Sequence, residues 1–248
     1  MDGHRHNHSI AAKQNLTREV DMKARQENSS ETLAALLAKV RACSACTAAL
    51  PLGPRPILQL STSATILVAS QAPGSKVHQT GVPFSDASGD RLREWMGMSA
   101  DEFYDEKRIA ILPMGFCYPG RAGGGDAPPR AECAHLWRDQ LLQSLPHVRL
   151  TLLVGSYAQQ HVLGPGPIAP RVRNFRDYLP RYFPLPHPSW RSRIWEEKHP
   201  WFAQDVLPAL RSAIERARAG DQERNSGGTT DGLGSTGRPG VSAGLGSA

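Results

Sequence analysis

No stretch of this chain stays apolar for anything near the ~18 residues a membrane helix needs, which excludes a helical span and predicts no membrane partner. The opening run, Met1-Asp2-Gly3-His4-Arg5-His6-Asn7-His8, lacks the apolar core of a secretory signal. A cytoplasmic protein is expected, and cysteines there stay reduced or ligated rather than paired. Cysteine is scarce: four residues, forming one Cys-x-x-Cys pair with no second to make a zinc ribbon. The glycine-rich stretch Ala122-Gly123-Gly124-Gly125-Asp126 lacks the Lys-Ser/Thr of a P-loop, so a flexible loop is expected there. No internal repeat shows.

What the chain does have is length for one substantial core, at 248 residues. Its formal charge of +6 favours an anionic partner, nucleic acid above all. Residues 1–30 are polar without a clean period and read as a disordered arm, with His4, His6 and His8 in a solvated tail. Residues 219–248 collapse to a Gly- and Ser-rich composition that cannot bury enough surface to order itself. Between them, 31–218 reads as one domain, expected as a monomer.

Within that domain four short buried runs alternate with helical patterns. The runs are Thr65–Ala69, Ile109–Leu112, Arg149–Val154 and a stretch around Arg181–Leu185. Helices are expected over Glu31–Arg41, Asp90–Gly97, Pro129–Ser144, Ser156–Leu163 and Trp201–Ala217, with a Ser99/Glu102 capping box ahead of Phe103. Such alternation predicts a three-layer α/β/α domain around a four-stranded parallel sheet. The segments after the first, second and fourth strands, at Gln71, Cys117 and His187, would then open on one edge.

The first of these is the most telling. Gln71-Ala72-Pro73-Gly74 brings bare backbone to a strand end, and a long polar loop follows with His78, Phe84, Asp86 and Asp90. Each residue has a plainer reading too. Phe84 can be core, Asp86 can cap a helix opening at Ser88 or Gly89, and Arg191 and Arg193 can be solvated surface. His187, between Pro186 and Pro188, makes a poor core residue. The pair Cys43 and Cys46 fits zinc, iron–sulfur or redox chemistry, and it follows a helix where a thioredoxin-like pair would precede one.

These motifs together resemble the uracil-DNA glycosylase superfamily over about Ala42 to Arg211. Gln71-Ala72-Pro73-Gly74 is similar to the Gly-Glu-Ala-Pro-Gly loop of its iron–sulfur branch. Gly81-Val82-Pro83-Phe84 matches Gly-x-Pro-Phe, and His187-Pro188-Ser189 matches the family's His-Pro-Ser. The resemblance implies a DNA partner carrying a damaged or deaminated base, with uracil the first candidate. Phe84 would stack on that base, the backbone of Gln71 to Gly74 would line its pocket, and His187 would hydrogen-bond the departing base. Asp86 would orient water, and Pro188, Ser189 and Arg193 would grip phosphates. It also implies a [4Fe–4S] cluster on Cys43, Cys46, Cys117 and Cys133, acting as a structural staple.

Two positions depart from the pattern. Gln71 stands where that branch keeps an acid, and Pro113 where members keep an asparagine. The segment Asp86-Ala87-Ser88-Gly89-Asp90 is similar to that of a second branch, whose first Asp supports water attack. A member that binds DNA without excising is the alternative these departures allow.

Overall fold

The apolar runs become strands because a parallel sheet covered on both faces needs residues apolar on both sides. The computed structural model describes residues 33–190 and 192–219. The expected arm (1–30), nearly all of the tail and Arg191 lie outside them. In chain order the strands are β1 (Ile66–Ala69), β2 (Ile109–Ile111), β3 (Arg121–Ala122), β4 (Gly125–Asp126), β5 (Leu150–Val154) and β6 (Tyr182–Leu185). Every residue of β1, β2 and β5 is buried. These three and β6 form one parallel sheet in the order β2-β1-β5-β6, while β3 and β4 pair as a separate hairpin.

The helices are α1 (33–41), α2 (Ser75–Thr80), α3 (Ala87–Met96), α4 (Ala100–Tyr104), α5 (132–143, π-wound over Ala134–Arg138), α6 (Ser156–Leu163), α7 (Ile168–Arg173), α8 (Ser192–Lys198) and α9 (Leu207–Ala219). Strand alternation divides the core in two. Ile66, Val68, Ile109, Ile111, Leu150 and Leu152 pack with Leu92 and Trp95 of α3 and Leu210 and Ile214 of α9. On the opposite face Leu67, Ala110 and Leu112 meet Leu33, Leu37 and Val40 of α1 and Leu141 of α5. The result is the α/β/α arrangement, and truncating a fully buried side chain such as Leu210 to alanine would cost about 2–5 kcal/mol.

Local chemistry fixes the element ends. Ser99 and Glu102 form the expected reciprocal capping box on α4. Gly97 ends α3 in the left-handed region (φ 67°), its N–H reaching the carbonyls of Arg93 and Glu94. The expected long loop after β1 is instead mostly helical: α2 occupies its first part, and α3 begins at Ala87 rather than Asp90. The expected flexible loop at Ala122–Asp126 is the β3–β4 hairpin, because Gly123 (φ 57°) and Gly124 (φ 80°) supply the two positive-φ residues of a tight hairpin turn. Among the described residues no helix is long and apolar enough to cross a membrane.

Strand β1 lies between β2 and β5, so the chain leaves it toward one side and later returns on the other. That reversal opens a crevice at the carboxyl ends of the strands, the place where such sheets take ligands.

Candidate active site

The crevice is built by extending two strands past their formal ends. The Met114 N–H donates to the Ser70 carbonyl (2.7 Å) and the Gly115 N–H to that of Gln71 (2.8 Å). These bonds hold the β1 and β2 loops side by side and set Gln71 and Pro113 on one wall.

Opposite them, Phe84 occupies the left-handed region (φ 56°), which a bulky residue enters only when its surroundings hold it. Its carbonyl accepts from Arg93 Nη1 (3.2 Å) and the Tyr104 hydroxyl (3.1 Å). Its ring packs edge-on to Phe103, with centroids 5.9 Å apart. Helix α3 then passes so close that a Cβ on Gly89 would sit 1.7 Å from the Phe84 carbonyl oxygen. Phe84 therefore belongs to both readings, packing on the core while it lines the cavity.

Asp86 also has two uses. Its Oδ1 caps α3 by accepting from the Gly89 N–H (3.0 Å). Its Oδ2 points elsewhere, 3.8 Å from where a Cβ on Gly74 would stand.

His187 follows β6, and its carbonyl accepts from the Ser189 N–H (2.9 Å) and from Ser192 Oγ. The ring lies over Gly155, where a Cβ would stand 3.4 Å from His187 Cδ2; the positive φ of Gly155 (84°) asks for glycine there as well. Burial pushes the imidazole below its ordinary pKa, with the Asp86 charge opposing. At neutral pH the ring is therefore neutral and can donate from one nitrogen.

A cavity of about 80 Å3 joins these groups. Gln71, Ala72, Pro73, Gly74, Phe84, Asp86 and His187 all line it. It opens to a groove of about 540 Å3 whose walls include Tyr118, Arg121, Ser189 and Trp190. Of the remaining expected contacts, Pro188 is buried and Arg193 is exposed on α8, and neither lines cavity or groove.

Asp126 was not legible as a site residue, yet it lines both spaces. Its Oδ2 would stand 3.4 Å from a Gly74 Cβ, beside Asp86. Partial burial raises its pKa; Arg121 opposes the shift and Asp86 adds to it. Trp190, 71% exposed at the groove, also lacked a signal beyond its place after His187-Pro188-Ser189.

The four cysteines are free thiols at a second location. Cys43 and Cys46 lie after α1, Cys117 in the β2 loop and Cys133 in the first turn of α5. They stand close enough for the charges of Cys43, Cys46 and Cys117 to act on Cys133, whose thiol burial pushes up to about 11. Two of the four sulfurs accept an N–H. Trp137 Nε1 donates to Cys43 Sγ (3.4 Å), and the Phe116 N–H to Cys133 Sγ (3.4 Å). The Arg130 guanidinium lies close enough to Cys46 to interact with it electrostatically. Among the described residues no three His, Cys, Asp or Glu side chains are gathered around a single metal ion. Four thiolates on the corners of an iron–sulfur cube each take their own iron, and N–H···S bonds are the usual surroundings of such ligands. The donor set fits that group.

Residues 59–211 match the family model of the uracil DNA glycosylase superfamily. The chain belongs to that superfamily. Membership makes it a glycosylase-type hydrolase whose partner is DNA. The matched stretch holds the whole parallel sheet, both walls of the cavity and Cys117 with Cys133; Cys43 and Cys46 precede it.

Proposed function

We propose that this superfamily member removes a deaminated base, uracil first among candidates, by hydrolysing its N-glycosidic bond. The observation that carries the reading is the meeting of Phe84, the Gln71–Gly74 loop, Asp86 and His187 on one cavity at the carboxyl edge of the sheet. Each group there answers a requirement of base excision. A base must leave the stack to be reached, and an aromatic face such as Phe84 repays part of that unstacking. The bond to the sugar breaks with negative charge on the departing base, and the neutral His187 N–H is set to stabilise it. Asp86 Oδ2 offers a negative charge to the sugar as it becomes cationic. Outside the cavity, Arg121, Ser189 and the exposed Trp190 line a groove that suits the DNA strand.

We further propose that Cys43, Cys46, Cys117 and Cys133 hold a [4Fe–4S] cluster. The mutual closeness of the four thiols and the N–H bonds to Cys43 and Cys133 support it. When bound, the cluster would supply attachment, tying α1, the β2 loop and α5 together; the excision chemistry belongs to the other site.

A second reading, DNA binding without excision, has one observation in its favour. Gln71 and Pro113 both line the cavity, and neither side chain is an acid. Measuring abasic sites formed on uracil-, hypoxanthine- and xanthine-containing strands, single and double, separates the two. Release of any of these bases supports excision. Binding to all strands with no release from any supports the second reading.

A further inference from the structure

Hydrolysis needs a group to take the proton of the attacking water, and the residues considered so far do not supply one cleanly. Gln71 carries an amide that cannot take a proton at working pH. Asp86 Oδ1 accepts from the amide of Gly89, and its Oδ2 is already assigned to the sugar cation. His187, neutral and donating to the departing base, serves the opposite end of the bond. We propose that Asp126, delivered by the β3–β4 hairpin, is the general base of the reaction, with Asp86 the neighbouring charge that steadies the sugar cation. This rests on the excision reading above.

Position is the first argument. Asp126 stands where the cavity meets the groove, so its carboxylate reaches both the buried base site and incoming water. It shares one backbone point, Gly74, with Asp86: the two Oδ2 atoms would lie 3.4 and 3.8 Å from a Cβ there. The hairpin aims it. Gly123 and Gly124 fix the turn, Ala122 pairs with Gly125, and the Ala127 N–H closes the base of the hairpin on the Gly120 carbonyl (2.9 Å).

The second argument concerns what Asp126 does not do. A carboxylate kept for structure caps a helix or clasps a neighbouring strand, as Asp86 does through Oδ1. Among the described residues none donates a hydrogen bond to the Asp126 carboxylate, although Arg121 is its strand partner. Its acceptor capacity is therefore open to a ligand.

Electrostatics agrees with the position. The groups facing Asp126 are Arg121 on β3, Asp86 at the start of α3 and His187 after β6. Partial burial and the Asp86 charge raise its pKa, which makes the ionised form a stronger proton acceptor than an ordinary surface carboxylate. In the step itself, the bond between the sugar C1′ and the base nitrogen breaks, and its electron pair leaves with the base. The His187 N–H stabilises that anion while positive charge spreads over C1′ and the ring oxygen. Water adds to C1′, Asp126 accepts its proton, and an abasic sugar with a C1′ hydroxyl remains. The base anion takes a proton from solvent, and Asp126 returns its own.

The test is the single-turnover excision rate against pH on the strand that the wild type cleaves best, for wild type, Asp126→Asn and Asp86→Asn. A general base contributes ~10²–10⁴-fold. Asp126→Asn should lose at least a hundredfold in rate, together with the fall in rate on the acid side, while DNA affinity and melting temperature stay near wild type. Carbon-13 titration of the Asp126 carboxyl gives a readout besides activity: its pKa should be raised from that of an ordinary aspartate and drop in Asp86→Asn. An active wild type with an unchanged Asp126→Asn rate, or with the acid limb kept in that variant, overturns the assignment alone. A wild type that releases no base overturns the excision reading and this one with it.

Discussion

Replacing Gly89 by alanine sets two effects of known size against each other. Alanine in a helix is favoured over glycine by ~1 kcal/mol, so on propensity alone the variant would be more stable. The structure opposes this, because the new Cβ would lie 1.7 Å from the Phe84 carbonyl oxygen and 2.8 Å from the Phe84 Cβ. That carbonyl cannot simply swing aside, for Arg93 Nη1 and the Tyr104 hydroxyl both donate to it. Separating α3 from Phe84 costs about 1–3 kcal/mol in overpacking, and about 1 kcal/mol for each hydrogen bond given up. Loss of the Asp86 cap adds about 1 kcal/mol. Clash therefore wins, and Gly89→Ala should be destabilised by roughly 3–5 kcal/mol net of the propensity gain. Urea unfolding measures this directly, with Gly125→Ala as the control, since nothing lies within 4 Å of a Cβ there. A Gly89→Ala protein as stable as wild type would refute the argument that the Phe84 turn is rigidly held.

On the proposed role of His187 as donor to the departing base, His187→Ala should lower the single-turnover rate about a hundredfold or more while DNA affinity stays near wild type. Protein purified without added metal should show broad absorbance near ~400 nm and contain iron, and Cys133→Ser should lose both and melt at lower temperature; stoichiometric zinc without iron would refute the cluster. His78 and His187 are both held below the ordinary histidine pKa by burial, so the unfolded chain binds protons that the folded chain does not. Stability should therefore fall as pH drops below about 6.5, the loss being measurable by urea unfolding between pH 7 and 5 and shallower in His78→Gln.

The strands were legible because a strand buried on both faces must be apolar throughout, and runs such as Ile66-Leu67-Val68-Ala69 have few other uses. Helix α6 and the Ser99/Glu102 box were legible for equally local reasons, a short apolar pattern and a reciprocal cap. Helix α2 was not, since only Val77 and His78 of its six residues are buried and it carries no apolar period. Helix α7 was hidden by Pro170, tolerated because it lies in the first turn, where its missing N–H has no partner to lose. In the cavity, the residues read from motifs sit on the strand-end loops whose backbone bonds fix them. Asp126 escaped because a run of glycines looks flexible until the φ values of Gly123 and Gly124 are known, and nothing local says which carboxylate such a hairpin will set at the rim of a cavity.

The two locations, thiols and cavity, are joined by one short segment. Pro113 forms a cavity wall, and its carbonyl accepts from Arg138 Nη1 (3.0 Å), an arginine of α5 that is only 2% exposed. Met114 and Gly115 carry the backbone ladder to Ser70 and Gln71. Phe116 then turns its N–H to Cys133 Sγ and its carbonyl to the Ile57 N–H (2.8 Å), and Cys117 follows at once. A Cβ on Gly115 would stand 3.1 Å from the Arg130 backbone nitrogen, so the strand-end loop and the segment leading into Cys133 are in direct contact. Whatever fixes Cys117 and Cys133 thus also fixes the wall facing Phe84, through five consecutive residues and α5. On the proposed reading, a cluster held by these thiols would therefore stiffen the cavity wall without taking part in the excision chemistry.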